Sequence, residues 1–378
     1  MKKSVVSMLV MGLILVPFLC GGVSAKTLKL GSMSPLTGPY ASDGTDIKNG
    51  VLTAIAVIEE QGGIPGYDKI ELHAQDTACD PRQAVAAANK LINLEVAAVV
   101  GAYCSSSTIP ASEVLAEEDI IMVTPASTNE KVTERGLDYM FRMCGRDDDQ
   151  APMAAKFMKE ALNAKTIFIV DDKTTYSQGL ADGVSKAAKS MGMTVLAHEH
   201  VNQGDKDFAA VLTLAKQKNA DIFYMSLQGF SPAAMMTLQA KRLGMDSQII
   251  TQDAVFQPRF MEVAKEASEG VFLTYGYTDP TTPEYKAFEE RYVPKYGKIA
   301  AYATYAYDSA MSILMAIKAA DSTDPAKVKA AMMKLDYQGV AKRVKFKTNG
   351  DTGSSYIAFK VVGDKFVPYW EPANGLIK

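Results

Sequence analysis

Apolar and polar positions change period along the chain, from two to about 3.6 and back, and each change marks an element. Thr27–Met33 alternates and runs into Pro35 and Gly38, which predicts a strand and a loop. From Gly44, Ile47, Val51, Ile55 and Ile58 share one helical face, and Gly62-Gly63 closes the helix. Ile70, Leu72 and Ala74 predict the next strand, and Asp80-Pro81 supplies the N-cap and first residue of a helix through Leu94. Ala97–Gly101, Ser107–Glu118 and Ile120–Val123 follow as strand, helix and strand. After Arg142 the rhythm restarts. Helices at Gln150–Leu162, Gln178–Met191, Asp207–Gln217 and Pro232–Leu243 alternate with strands at Thr166–Val170, Thr194–His200, Asp221–Ser226 and Gln248–Thr251. Such alternation predicts an α/β protein with parallel sheets covered by helices on both faces, and the restart predicts two doubly wound lobes.

The last hundred residues break the rhythm. Strand Val271–Tyr275 leads to helices at Pro283–Tyr296, Ala301–Ala320 and Pro325–Leu335. Strands at Val344–Phe346, Tyr356–Val361 and Phe366–Trp370 then follow, with turn signals at Asn349-Gly350 and Gly363-Asp364. This tail is too small for a third domain and is expected to complete the first two. The lobes would then be discontinuous: 26–146 with 275–355, and 147–274 with 356–378.

The N-terminus follows another logic. Lys2-Lys3, an apolar run from Val5 to Cys20 broken only by Ser7, and small residues ending at Ala25 predict a cleaved signal peptide, residues 1–25. The run is shorter than the roughly 20 residues that span a bilayer, which disfavours a retained anchor. An exported, periplasmic protein is expected. Its 378 residues exceed one typical domain, 48% hydrophobic content excludes a disordered chain, and a net charge of −3 without a basic block excludes a nucleic-acid footprint.

In open parallel sheets ligands bind beyond the carboxyl ends of strands. After Ala97–Gly101 comes Ala102-Tyr103-Cys104-Ser105-Ser106-Ser107-Thr108, where hydroxyls and free N–H groups gather at a helix start. Such a loop suits a carboxylate or phosphate. Thr124-Pro125-Ala126-Ser127-Thr128 forms a second hydroxyl cluster after the next strand. Ordinary helix capping is the alternative reading of both. The second half offers Asp171-Asp172-Lys173-Thr174-Thr175-Tyr176-Ser177, then Gln228-Gly229-Phe230, then Asp253-Ala254-Val255-Phe256. Tyr176 and Phe230 are candidates for an apolar lid, and Asp253 for an acceptor of an ammonium group. Cys79 and Cys104 both follow strand ends, and a bridge between them would close a loop of about 25 residues; Cys144 is expected to be free and buried. No GxSxG, P-loop, GxGxxG, HExxH or CxxC signature occurs. His198 and His200 share a strand face, but without a third ligand nearby in sequence they are assigned no metal, and no cofactor is expected.

Taken in order, Pro35-Leu36-Thr37-Gly38-Pro39, Asn49-Gly50, Gly62-Gly63-Ile64, Asp80-Pro81-x-x-Ala84, Gly101-x-x-Cys104-Ser105-Ser106-Ser107-Thr108, Thr124-Pro125-Ala126-Ser127-Thr128, Asp172-Lys173-x-x-Tyr176-x-x-Gly179 and Thr304-Tyr305-Ala306 form a series. Across nearly the whole chain past the leader, it resembles the periplasmic branched-chain amino-acid-binding proteins of ABC importers. The resemblance implies two Rossmann-like lobes of the type I periplasmic binding fold, joined by a three-stranded hinge and closing on a ligand. It implies that Ser105, Thr128 and backbone around Ala126 hold an α-carboxylate; Cys104 and Ser127 of the same loops, and Ala254 beside Asp253, are further candidate ligand contacts. Asp253 would meet the α-ammonium, Tyr176 would close over the ligand, and Cys79 would pair with Cys104. It further implies a monomer that makes no covalent change and delivers its ligand to a membrane permease. A sensor serving a chemoreceptor or kinase, and an exported α/β enzyme, are the rival readings. Two positions depart from the leucine-type pattern: Asp43 stands where an aromatic or apolar residue is usual, and Tyr103 replaces a smaller apolar one. If both line the side-chain pocket, a polar or amide-bearing amino acid fits better than leucine, because an unpaired buried carboxylate is costly; Asp43 facing solvent is the alternative.

Overall fold

A computed structural model describes residues 26–377; the proposed signal peptide lies outside the described residues. The first sheet takes β1 (Thr27–Ser34), β2 (Lys69–Asp76), β3 (Ala98–Gly101), β4 (Ile121–Thr124) and β5 (Met140–Arg142). All are parallel, in the order β2-β1-β3-β4-β5. Between them run α1 (Ala41–Glu60), α2 (Pro81–Asn93), α3 (Ser105–Glu117) and the short α4 (Lys131–Glu134). The chain then crosses to a second sheet through α5 (Asp147–Glu160), β6 (Thr166–Asp171), α6 (Thr175–Ser190), β7 (Thr194–His200), α7 (Ala209–Lys218), β8 (Ile222–Ser226), α8 (Phe230–Arg242), β9 (Gln248–Thr251), α9 (Pro258–Ala264) and β10 (Phe272–Gly276).

From β10 the chain returns to the first sheet. There α10 (Pro283–Tyr296), α11 (Ala303–Ala320) and α12 (Pro325–Met332) precede a small hairpin, β11 (Tyr337–Gln338) and β12 (Arg343–Val344). A third crossing leads to β13 (Tyr356–Val362), β14 (Lys365–Glu371) and β15 (Gly375–Leu376). The second sheet therefore reads β15-β14-β13-β10-β9-β8-β6-β7, parallel from β7 to β10 and antiparallel beyond.

Each sheet is buried on both faces, as its continuous apolar strands require. In the first, Leu28, Leu30, Val100 and Val123 pack with Ile47 and Val51 of α1 and Ile313, Leu314 and Ile317 of α11. Met33, Val99 and Met122 face Ala84, Ala88 and Leu91 of α2 and Leu115 of α3. Helices α1 and α11 approach closely because residue 50 is glycine: a Cβ there would lie 2.3 Å from the Ala303 carbonyl oxygen. In the second sheet one face meets α5 and α6 through Phe157, Met158, Leu180 and Val184, and the other meets α7, α8 and α9 through Leu212, Ala234 and Phe260.

The crossings are pinned together. Arg142 at the end of β5 is fully buried and donates to Asp351 Oδ1 at 2.7 Å from Nε. Its other nitrogens reach the carbonyls of Ser127, Thr128 and Asn129 and the Thr133 hydroxyl. Arg146 holds the second oxygen of Asp351 at 2.7 Å. Asp351 thus fastens the third crossing to the first, and Arg142 also fixes the loop that ends at Asn129.

Candidate functional site

The two sheets present their carboxyl ends to one another across a cleft. Five helices begin there, and each starts two or three residues before its apolar periodicity does. Helix α1 opens at Ala41 rather than Gly44, α3 at Ser105 rather than Ser107, and α5 at Asp147 rather than Gln150; α6 opens at Thr175 rather than Gln178, and α8 at Phe230 rather than Pro232. Within those first turns Asp43, Ser105, Asp147 and Tyr176 are buried, whereas Asp148, Asp149 and Thr175 are exposed. The free N–H groups and partial positive charge of these turns converge on the cleft.

From the first lobe, Cys104 forms the N-cap of α3 and is bridged to Cys79 across a separation of 25 residues. Cys144 is free and buried. The bridge locks the loop leading into Ser105, whose hydroxyl accepts the Asn129 N–H at 3.4 Å. Replacing both cysteines with serine is expected to lower unfolding free energy by roughly 3 kcal/mol, the loop-closure entropy returned to the unfolded chain, measurable as a lower denaturant midpoint. Ala126 lies in the same wall, while Ser127 turns inward. Its hydroxyl bonds the Thr108 hydroxyl at 2.5 Å and the carbonyls of Ala102 and Tyr103. The Ser127 hydroxyl thus bonds within the loop and not toward the cleft, unlike its expected place among the ligand contacts. The Thr128 hydroxyl is buried and unpartnered.

From the second lobe comes Asp253, in a one-turn 3₁₀ helix after β9, beside the buried Ala254. It accepts the Tyr176 hydroxyl on Oδ1 and the Tyr302 hydroxyl on Oδ2, both at 2.6 Å. Tyr302 precedes α11 on the first lobe, so this carboxylate joins the two lobes. Burial pushes its carboxyl upward, against the lowering effect of those hydroxyls. Phe230, expected as a lid, instead packs within the second sheet's core with Ala233, Ala234 and Phe260. The surface facing the first lobe is Gly229, at φ 84°, where a Cβ would meet the Tyr40 ring at 2.9 Å. Glycine is required there for conformation and for the close approach.

Two further groups escaped the sequence reading. Asp147, in the first turn of α5, is buried without a close hydrogen bond to either carboxylate oxygen; burial drives its carboxyl well above the ordinary range, Asp253 adds to the effect, and the Thr128 hydroxyl opposes it. Gln150, one turn on, donates to Thr274 and leaves its carbonyl oxygen unpartnered. Asp147-Asp148-Asp149 looks like routine acidic decoration of a helix start; only the crossing after Arg142 marked it as facing the cleft.

A second cluster sits further out along the cleft. Asp43 is 3% exposed and projects into it, so the solvent-facing alternative is excluded. Gln257 of the second lobe donates to its Oδ1 at 3.0 Å, and its Oδ2 is unpartnered. Tyr103 packs between Tyr40 and Tyr302 at ring separations of 6.3 and 5.6 Å. Its hydroxyl lies toward the Gln228 side chain, though neither makes a hydrogen bond of normal length. Burial pushes the Asp43 carboxyl up to about 7; the Gln257 bond and Arg259 oppose this, and Asp46 adds to it. A carboxyl raised on folding is better protonated in the native state, so its contribution is fully present below about pH 4 and is lost as pH rises toward 7. The ligand-free protein should gain thermal stability between pH 7 and 5, and Asp43→Asn should flatten part of that gain.

Residues 27–365 match the family model described as periplasmic binding protein. The chain is 37% identical to an amino acid binding protein of Pseudomonas aeruginosa, covering 88% of this chain and 89% of that one. A leucine-, isoleucine-, valine-, threonine- and alanine-binding protein of the same organism is 35% identical, over 87% and 88%. Among solved structures, a leucine binding protein of Thermotoga maritima superposes with a TM-score of 0.84 at 30% identity, covering 90% of this chain and 97% of that one. A branched-chain amino acid transporter substrate binding protein of Streptococcus pneumoniae, in complex with isoleucine, gives 0.83 at 26%, over 90% and 98%. With two parallel-stranded lobes, three crossings and a polar cleft between strand ends, this chain belongs to the extracytoplasmic periplasmic binding proteins, in the group that binds branched-chain amino acids.

Proposed function

We propose that the protein captures an α-amino acid with a polar, hydrogen-bond-donating side chain and delivers it to the permease of an ABC importer. The observation that carries the reading is the set of buried polar atoms left unpartnered in the cleft. Asp147 Oδ1 and Oδ2 stand beside the Thr128 hydroxyl, with Asp253 close by. Two buried carboxylates without a cation are costly. An α-ammonium meeting Asp253, Asp147 and the Tyr176 hydroxyl supplies the missing charge. The α-carboxylate then lies against Ser105, Thr128 and the N–H groups around Ala126, at the positive end of α3. Each charge-assisted bond adds about 1.5–3 kcal/mol, so the zwitterion itself carries much of the affinity.

The side chain enters the outer cluster, where Asp43, Tyr103 and Gln228 present one carboxylate oxygen, one hydroxyl and one carbonyl oxygen without partners. The Asp43 and Gln228 oxygens only accept hydrogen bonds; the Tyr103 hydroxyl can turn to Gln228, but an aliphatic side chain would leave the free Asp43 oxygen unsatisfied. An amide, hydroxyl or cationic side chain fits; the relatives named for leucine-type ligands set the backbone chemistry, and this cluster sets the difference. The lobes, 26–146 with 275–355 and 147–274 with 356–378, close by bending at the three crossings, and the monomer presents the closed form to the permease. Binding proceeds without turnover: His73 lies on β2 near Glu71, and His198 and His200 are engaged by Asp171 at the rim, so none pairs with the hydroxyl loops.

A thermal-shift panel of the twenty amino acids, followed by calorimetry, tests the reading. A ligand at a hundredfold excess over its Kd should stabilise the protein by about 2.7 kcal/mol. Silence from every α-amino acid would overturn the zwitterion assignment. Asp43→Leu is expected to improve leucine or valine affinity at least tenfold relative to the native ligand; unchanged preference would remove Asp43 from the pocket.

A further inference from the structure

Beside the rim of the cleft, on the edge of the second sheet, three side chains converge on one point. Asp171 ends β6, and its Oδ2 lies 2.7 Å from His198 Nε2 and 2.8 Å from His200 Nδ1, both on β7. The three donor atoms all lie within 4.8 Å of one another. Two imidazoles two residues apart share a strand face, but that alone would not place them with Asp171. A register shift between Ile167 and Phe168 does so: Ile167 pairs with Val195, but Phe168 pairs with Ala197, so Asp171 falls opposite His200. Without the extra residue Asp171 would face Glu199, and both histidines would point to the other side of the sheet. Bulges of this kind re-aim side chains. The third group that the sequence did not reveal thus comes from the neighbouring strand.

We propose that Asp171, His198 and His200 bind a divalent transition cation of the zinc class. Two imidazole nitrogens and one carboxylate oxygen are the donor set such ions prefer. The cluster is built, not adventitious. Asp171 is fully buried, and its other oxygen is fixed by the Lys173 N–H at 2.8 Å. The imidazoles are partly exposed, His198 19% and His200 39%, which leaves the remaining coordination positions to water. At metal–ligand distances of about 2.0–2.2 Å, neighbouring donors sit roughly 3.4 Å apart, so the two Asp171–histidine spacings need to open by little more than about half an ångström. Entry of the ion exchanges two N–H···O bonds for coordination. The His198 proton moves to Nδ1, which faces Asp182 Oδ1 of α6 at 3.8 Å, and the His200 proton moves to Nε2 on the solvent side. A carboxylate behind the remote nitrogen of a ligating histidine is the usual outer-shell support. The ion would tie edge strand β7 to β6 at the root of the loop whose Gln203 reaches Tyr40 across the cleft.

The test uses the exported protein without a polyhistidine tag, stripped with a chelator and titrated with Zn²⁺ by calorimetry. One equivalent is expected to bind with micromolar or tighter Kd, and Co²⁺ to give a visible d–d band. His198→Ala and His200→Ala should each weaken Zn²⁺ at least tenfold and abolish the Co²⁺ band, and His73→Ala should change neither. Both histidines are partly exposed, so these variants keep the fold; a circular-dichroism spectrum confirms it. Absence of saturable Zn²⁺ binding, or binding unchanged in the His198→Ala/His200→Ala double variant, would overturn the assignment. Neither outcome touches the amino-acid site, whose residues are separate.

Discussion

Asp253→Asn is expected to all but abolish amino-acid binding while leaving the ligand-free protein at least as stable as the parent. The carboxylate is buried, joins the lobes through Tyr176 and Tyr302, and is the group best placed for the ligand's ammonium. Removing one partner of a buried charge pair costs about 2–5 kcal/mol, a loss of roughly 30-fold to several thousandfold in affinity. Stability should not follow affinity down. Burial raises the Asp253 carboxyl, so without ligand the charged form is a burden that asparagine relieves. Asparagine keeps the shape and can still accept from a tyrosine hydroxyl. Calorimetry for affinity and a melting curve for stability separate the two effects. Affinity within threefold of the parent would exclude the ammonium role.

Arg142→Ala has the opposite signature, with stability lost first and affinity second. The guanidinium is fully buried and donates to Asp351, three consecutive carbonyls and the Thr133 hydroxyl. Breaking a buried ion pair from one side costs about 3–5 kcal/mol. Asp351 keeps Arg146, which places the loss toward the lower end, but the carbonyls of Ser127, Thr128 and Asn129 each lose a side-chain donor. Arg142→Lys should recover little, because a single ammonium cannot serve the same fork of acceptors. The loop it anchors carries Thr128, so weaker ligand binding should accompany the lower denaturant midpoint. A loss below about 1 kcal/mol would show that the crossings hold without this network.

Much of this architecture was legible in the chain. Strands Thr194–His200 and Gln248–Thr251 lie where their apolar pattern places them, β5 has no counterpart among the expected strands, and the other strands of both parallel runs shift by a residue or two. What periodicity missed is systematic. At the cleft, the first turn of a helix is polar because a ligand or a second lobe faces it, not because water does. A pattern that equates polar with exposed begins α1, α5 and α6 too late, and the omitted residues include Asp43, Asp147 and Tyr176, three of the groups that matter most. Ser127 and Phe230 failed for the converse reason. Each has the right residue type at a strand's carboxyl end, but one spends its hydroxyl on neighbouring carbonyls and the other its ring on the core. The Asp171 cluster could not be read at all, since it depends on one extra residue in the pairing of β6 with β7.

The three crossings also set an order of assembly. Helix α11 covers one face of the first sheet, yet it lies some 160 residues beyond that sheet's last strand. Strand β13 pairs with β10 only after that helix has passed. A nascent chain emerging N-terminus first therefore exposes an apolar sheet face through most of its synthesis, and neither half can close early. Folding of this kind, dominated by distant contacts, is slow and open to aggregation until the end. A chain cut before Ala303 retains no complete lobe, so the last quarter of the sequence decides whether the first quarter folds.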